Sequence, residues 1–359
     1  MRRWTRRSRI AAGLVAAVVA CNLVNLLVPS RRVAKGTCPS VLLIDGDGGA
    51  RLGASVLAGA LYPWAARTDV APLPELRPTN DEYRLRLAND GEDTTDLIEH
   101  VAILIVDHDD ASEVLATPAG RLVAVRDAVA PRRQAHDVDR ARLTETWTVE
   151  LERPAALAAS RRALLVLGGR STPFAERAFF EYLATMGRGV SPLMEHAVRT
   201  DCGTACAREV MEDELDRLGL PLRVTVDRGS ASTVAPISPA LGRRFPLPIE
   251  LPADGDTITL RLEAAPGFWE IDAISLAAES DEIPARTLEA RPETRAEVPA
   301  AGHVDLRFTA PPATERRRSA FVAVRGHYRV PIGGALLHPI TILEHRWGMT
   351  SLPRFAASQ

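Results

Sequence analysis

Lysine is almost missing from this chain. Lys35 is the only one, and arginine carries the other positive charges. The region after residue 35 therefore cannot use a P-loop lysine or a lysine Schiff base. Aromatic residues are sparse at 5%, and the net charge of -2 comes from interspersed charges of both signs. No basic stripe suited to a polyanion results, so nucleic acid is not expected as a partner. Signature motifs are missing too. There is no H-E-x-x-H, no G-x-S-x-G elbow and no cysteine in a protease-like setting. No cofactor is expected, no catalytic residue stands out, and no metal site is assigned with its full ligand set.

Long apolar runs are also rare, with one exception. Arg2, Arg3, Arg6, Arg7 and Arg9 precede an uncharged, mostly apolar stretch over residues 10–28. As a helix it would span about 28 Å, close to the roughly 30 Å hydrocarbon core of a bilayer. The arginines before it outnumber Arg31, Arg32 and Lys35 after it. The positive-inside rule then places the N-terminus in the cytoplasm and the body in the periplasm or outside. The expectation is a single-pass inner-membrane protein whose partner at this end is the membrane itself. Two other leaders fit the same stretch. Val18-Val19-Ala20-Cys21 matches a lipobox with Cys21 as the acylated residue, and a cleaved signal would also export the body.

Export makes disulfides possible. Cys202 and Cys206, four apart in "DCGTACAREV", would lie about 6 Å apart on a helical turn, within disulfide range. Zinc would need two more ligands, and only His196 is close in sequence. Cys38 has no evident partner in the sequence.

At 359 residues the chain is expected to hold more than one core. The pattern predicts a mainly β protein: two β-sandwich-like domains behind an N-terminal transmembrane helix. The first would be immunoglobulin-like, and the second jelly-roll or galactose-binding-like with a helical insertion. The expected segments are 1–36 (tip, anchor or signal, linker), 37–145 (first sandwich), 146–282 (second sandwich, insertion about 171–219) and 283–359 (C-terminal β segment and tail). Period-2 alternation marks "EYRLRLAND", where Tyr83, Leu85 and Leu87 alternate with Arg84 and Arg86, and likewise "TITLRLEA". Residues 126–145 read as a polar connection.

The insertion switches to helical period. Thr172 is the predicted N-cap with Pro173 at the first helical position. Phe174, Ala178, Phe179, Tyr182, Leu183 and Met186 form its stripe, and Gly187 its stop. Further helices are predicted from Ser191-Pro192 and up to about Leu218.

Candidate ion sites are two acidic clusters. Asp45 and Asp47 in "DGDGG" fit part of a calcium loop, but Gly49 and Ala50 break it. Asp107, His108, Asp109 and Asp110 end the apolar strand "VAILIV". Both are read as turns, since such side chains bond their own backbone and stay solvated. Trp269 in "FWEIDAISL" is a candidate glycan contact, because aromatic faces suit apolar sugar surfaces. Glu270 and Asp272 could share a strand face as a hydrolase pair. Arg316-Arg317-Arg318 reads as a solvated loop.

Cys38-Pro39 with Asp45-Gly46, Val106-Asp107-His108, Gly326-His327-Tyr328 and the strand "WEIDAISL" together resemble a known region. It is the C-terminal β-rich part of bacterial secreted proteins with FG-GAP or tetratricopeptide repeats, related to the ASPIC type. The resemblance covers roughly residues 37–330. Ile44 stands where an aromatic often precedes Asp-Gly, His327 stands where tyrosine is common, and the repeats are missing. It implies an extracytoplasmic β-rich module without an established reaction. The expected function is a membrane-tethered, non-catalytic binding or assembly module for a protein or envelope glycan. The alternative is an extracytoplasmic hydrolase of envelope polymers.

Overall fold

The computed structural model describes residues 38–60, 66–157, 160–187, 219–234, 241–279, 282–291, 295–330 and 351–357, with a few isolated positions besides. Among the described residues no helix is long and apolar enough to cross a membrane. The leader over 10–28, save positions 16, 19 and 20, lies outside them, as do Cys21, Cys202, Cys206 and the helices predicted over 191–218.

The fold is mainly β and antiparallel, as the alternation predicts. In chain order the first strands are β1 (Ser40–Ile44), β2 (Ala50–Ser55), β3 (Arg67–Pro72), β4 (Glu82–Ala88) and β5 (Thr95–His108). A short hairpin follows, β6 (Glu113–Ala116) and β7 (Leu122–Val125). Next come β8 (Arg133–Asp139), β9 (Thr144–Glu152), β10 (Arg162–Ser171), the helix α1 (Pro173–Met186), β11 (Leu222–Val226) and β12 (Ala231–Val234). β13 (Arg243–Glu250), β14 (Thr257–Ala264) and β15 (Trp269–Ala278) complete the middle. The chain ends with β16 (Arg286–Glu289), β17 (Ala296–Pro299), β18 (His303–Thr309), β19 (Arg317–Arg329) and α2 (Leu352–Ala356).

Sheet membership crosses the segment boundaries drawn from the sequence. The sheet β18-β4-β1-β2 faces the sheet β16-β5-β19-β3, where β17 also pairs with β5. Residues 286–329, expected as a separate C-terminal segment, thus supply strands to both layers of the first sandwich-like unit. Val41, Leu43, Leu85, Leu87, Leu306 and Phe308 meet Ile103, Val322 and Val324 in its core. The second unit packs β13-β10-β15 on β12-β11-β14-β9-β8. Leu165, Leu167, Leu247 and Leu276 meet Val149, Leu151, Val224, Leu260 and Leu262 there. β8 corrects the reading of 126–145 as connection. It is a polar edge strand paired with β9, and nearly all its side chains are exposed. An edge strand needs no apolar face, and its charges discourage unwanted pairing.

The hairpin β6–β7 is a wedge between the units. Val114, Ala116 and Leu122 pack on Val106 and Phe321 at the back of the first unit. Leu115, Val123 and Val125 pack on Leu164, Val166 and Ala277 at the back of the second. This explains why "VAILIV" and "ALLVL" are continuous apolar runs: each lies in a strand covered on both faces.

α1 forms a second link. Thr172 caps it by accepting from the Ala175 N–H at 3.1 Å, and Gly187 ends it at φ 86°. Ala175, Ala178 and Tyr182 join the second core, while Phe180, Leu183 and Ala184 join the first. The stripe is corrected at two places: Phe174 is exposed and Phe180 is buried. A helix seated between two cores needs two apolar faces.

Candidate functional site: a cleft at the junction of the two units

A cleft of about 1090 Å³ opens beside the wedge. Its floor is the start of β19 and the end of β5. One wall is the connection from Pro72 to Pro78, and another is Pro311-Pro312. The edge of the second unit contributes Gly242, Arg243 and Arg244. Prolines fix φ and lack an N–H, so these walls are stiff and do not compete for a ligand's acceptors.

Of the Asp/His strand end, His108 lines this cleft, and register sets the arginines of β19 beside the cluster. Arg317, Arg318 and Ser319 stand opposite His108, Asp107 and Val106. Arg318 grips Asp107 with two hydrogen bonds, Nε to Oδ1 at 2.7 Å and Nη2 to Oδ2 at 3.2 Å. Its remaining N–H groups donate to the carbonyls of Pro311 at 3.3 Å and Pro312 at 2.9 Å. The hydrogen bonds from Arg318 hold the Asp107 carboxyl below its usual range. Asp109 accepts from Ser112 Oγ at 2.6 Å and pairs with Arg126, and the serine bond foremost lowers its carboxyl too.

His108 is buried at 4% exposure. Its Nδ1 lies 2.8 Å from the Asp109 carbonyl, which can only accept, so Nδ1 carries a proton. In the neutral ring Nε2 then accepts from Ser319 Oγ at 2.9 Å. Asp110 is exposed at the tip of the turn. The cluster expected as a solvated turn is exposed at its three aspartates and is also braced, with Asp107 and Asp109 held by arginine and serine. Arg318 also leaves the expected solvated loop, since β19 begins at Arg317.

More ion pairs bind the two units beside the cleft. Arg244 spans to Glu113 at 2.7 and 2.6 Å. Arg243 meets Asp69 at 2.7 and 3.1 Å and also donates to the Ser55 carbonyl. Asp69 further accepts from the Leu57 N–H at 2.7 Å. Burial pushes the Asp69 carboxyl up, but the charges of Arg243 and Arg67 and these hydrogen bonds win, holding it at about 2. Arg77 donates to the carbonyls of Leu76 at 2.8 Å and Pro74 at 3.2 Å. Arg77 and Arg317 have no carboxylate within salt-bridge distance among the described residues. Both are exposed and line the cleft.

The other expected sites lie elsewhere. Asp45 and Asp47 sit in the β1–β2 turn. There the Asp45 N–H donates to the Gly49 carbonyl at 2.9 Å, and Asp47 Oδ1 accepts from the Gly49 N–H at 3.1 Å. Gly48 supplies the positive φ of 86° that turn needs. Trp269 is 3% exposed in the second core, with its indole N–H donating to the Leu220 carbonyl at 2.9 Å. Its faces are covered by neighbours, so it offers no platform for a sugar. Glu270 pairs with Arg170 at 2.7 Å. Asp272 is the extra residue where the β10–β15 register shifts, so it does not follow regular alternation from Glu270. Among the described residues no three His, Cys, Asp or Glu side chains gather as a metal would need. What the sequence reading missed was the cleft, because its arginines come from segments far apart along the chain. Neither the protein-family models nor the curated proteins contain a match to this chain.

Proposed function

We propose that this protein is a membrane-tethered, extracytoplasmic, non-catalytic binding or assembly module, and that the junction cleft is where its protein or envelope-glycan partner docks. The arginine-rich leader and the apolar run after it support the address, with acylation at Cys21 as the other route to tethering. The resemblance to ASPIC-type secreted regions supports an exported β module, and the immunoglobulin-like and jelly-roll assignments belong to the same reading. One observation carries it: Asp107 and Asp109 are held in ion pairs with Arg318 and Arg126. Carboxylates so fixed brace a cleft wall and are poor proton carriers.

The test is a double reversal, Arg77→Glu with Arg317→Glu, in the full-length chain expressed in its membrane. Fractionation should place wild type and variant alike in the membrane pellet. Cross-linking of intact cells should give a defined adduct with wild type that the variant loses, while circular dichroism of both is the same. Soluble cytosolic recovery would refute the tether, and an adduct indifferent to the reversal would refute the cleft.

A further inference from the structure

A sheet edge carries unpaired N–H and C=O groups, and proteins blunt it with prolines, bulges, short strands or covering segments. The other edges of the two units are treated in that way. β13 holds Pro246 and Pro248, and β3 ends in Pro72. β12, β16 and β17 have four residues each. β2 is bulged at Gly53 and β15 at Asp272. β15 is also bridged by Val129, and β18 by Arg291.

β8 has none of these devices. It runs for seven residues, Arg133–Asp139, without proline, lysine or bulge. Among the described residues only β9 pairs with it, so its outer edge carries no strand. Its inner face is bare as well. His136 and Val138 stand opposite Trp147 and Glu145, which are buried, yet Val138 is 40% exposed. The strand is nonetheless held in place. His136 Nε2 donates to Glu145 Oε1 at 2.7 Å, and its ring stacks on Trp147 at 5.2 Å. Glu145 Oε2 in turn accepts from the Gly267 N–H at 2.7 Å.

The charges on this strand select its occupant. Arg133, Asp137 and Asp139 share the outward face with Glu150, Thr146 and Thr144 of β9. Arg133 enters no ion pair within the chain among the described residues. Two β8 strands laid antiparallel about His136 match along their whole length. Arg133 then stands opposite Asp139 of the partner subunit and diagonal to Asp137 of the partner subunit, and symmetry repeats both contacts. Parallel pairing would instead set arginine on arginine and aspartate on aspartate. We propose that β8 is a dimerisation edge, through which two copies of this chain join their five-stranded sheets into one across a two-fold axis at His136. The surface is separate from the cleft, and its test does not depend on that reading.

The experiment uses the full chain in detergent, with its mass followed by sedimentation over a concentration series. Wild type should reach a dimer. Arg133→Asp and Asp139→Arg should each weaken it by about tenfold or more, since each reversal turns two attractive cross-strand pairs into repulsive ones. The two reversals together should restore most of it. Arg228→Glu, in the turn between β11 and β12 at the far edge of the same sheet, should leave it unchanged. Asp139 also accepts from the N–H groups of Ala141 and Arg142, both at 3.0 Å, so circular dichroism checks that its variant folds. If it does not, a mixture of Ala135→Cys and Asp137→Cys carries the test. Mild oxidation should join the two copies between positions 135 and 137, read by mass spectrometry of the linked peptides. A monomeric wild type, a dimer indifferent to Arg133→Asp, or a folded double reversal that stays monomeric would overturn the proposal. So would cysteines at 135 and 137 that fail to join.

Discussion

Burial pushes the carboxyl of Glu176, in the first turn of α1, up to about 7. A carboxyl whose folded value lies above its ordinary one binds more protons folded than unfolded. Its contribution is therefore fully present below about 4.5 and is lost as pH rises through about 7. Urea denaturation between pH 5 and 8 should show stability falling with pH, and Glu176→Gln should flatten part of that fall. A pH profile identical to wild type would contradict the assignment. Asp96 titrates in the same direction, so some slope should remain. Asp69 has the opposite sign: held at about 2, its contribution is present above about 3.8 and is lost as pH falls through about 2. None of this was legible in the sequence. Asp107 and Arg318 are 211 residues apart, and no local pattern announces that they meet. By contrast, the turn at Asp45–Gly49 was legible, because its glycines and aspartates bond within the turn itself.

At the scale of elements, local signals that act within a few residues read well. Thr172, Pro173 and Gly187 bound α1 in the sequence and in the structure, and Tyr83, Leu85 and Leu87 alternate inward along β4. The failures come where tertiary surroundings decide. Phe174 and Phe180 exchange roles because α1 faces two cores, which one stripe cannot express. Phe180→Ala and Tyr182→Ala should each cost about 3–5 kcal/mol in urea melts. Phe174→Ala should cost only about 1 kcal/mol, the scale of its edge contact with Phe268 at 5.9 Å. A large loss at Phe174 would mean that the single-stripe reading was the better one. Gly326 also shows how an element carries a hidden demand. It sits where the β5–β19 register shifts, and a Cβ there would lie 2.4 Å from the Leu97 carbonyl oxygen. Only glycine allows that approach, which gives a physical reason for this residue in the Gly-His-Tyr motif.

The whole molecule depends on pairings that span the chain, which is why its segments were harder to read than its strands. β18 and β19 complete the first unit across the length of the second, and the β6–β7 wedge and α1 bury their two faces against different units. The buried polar part of this junction is the pair Arg243 and Asp69, with side chains 13% and 11% exposed. Replacing both partners by apolar groups would test little, since a well-packed substitute can match a buried ion pair. Removing one partner is informative. Arg243→Ala leaves the Asp69 charge in the interior and should cost about 3–5 kcal/mol. Because the two cores share the wedge and α1, wild type should unfold in one calorimetric transition. With this buried ion pair removed and the apolar contacts kept, the variant should still melt as one unit at a lower temperature. Two separate transitions in Arg243→Ala would mean that the ion pair, and not the shared apolar faces, couples the units.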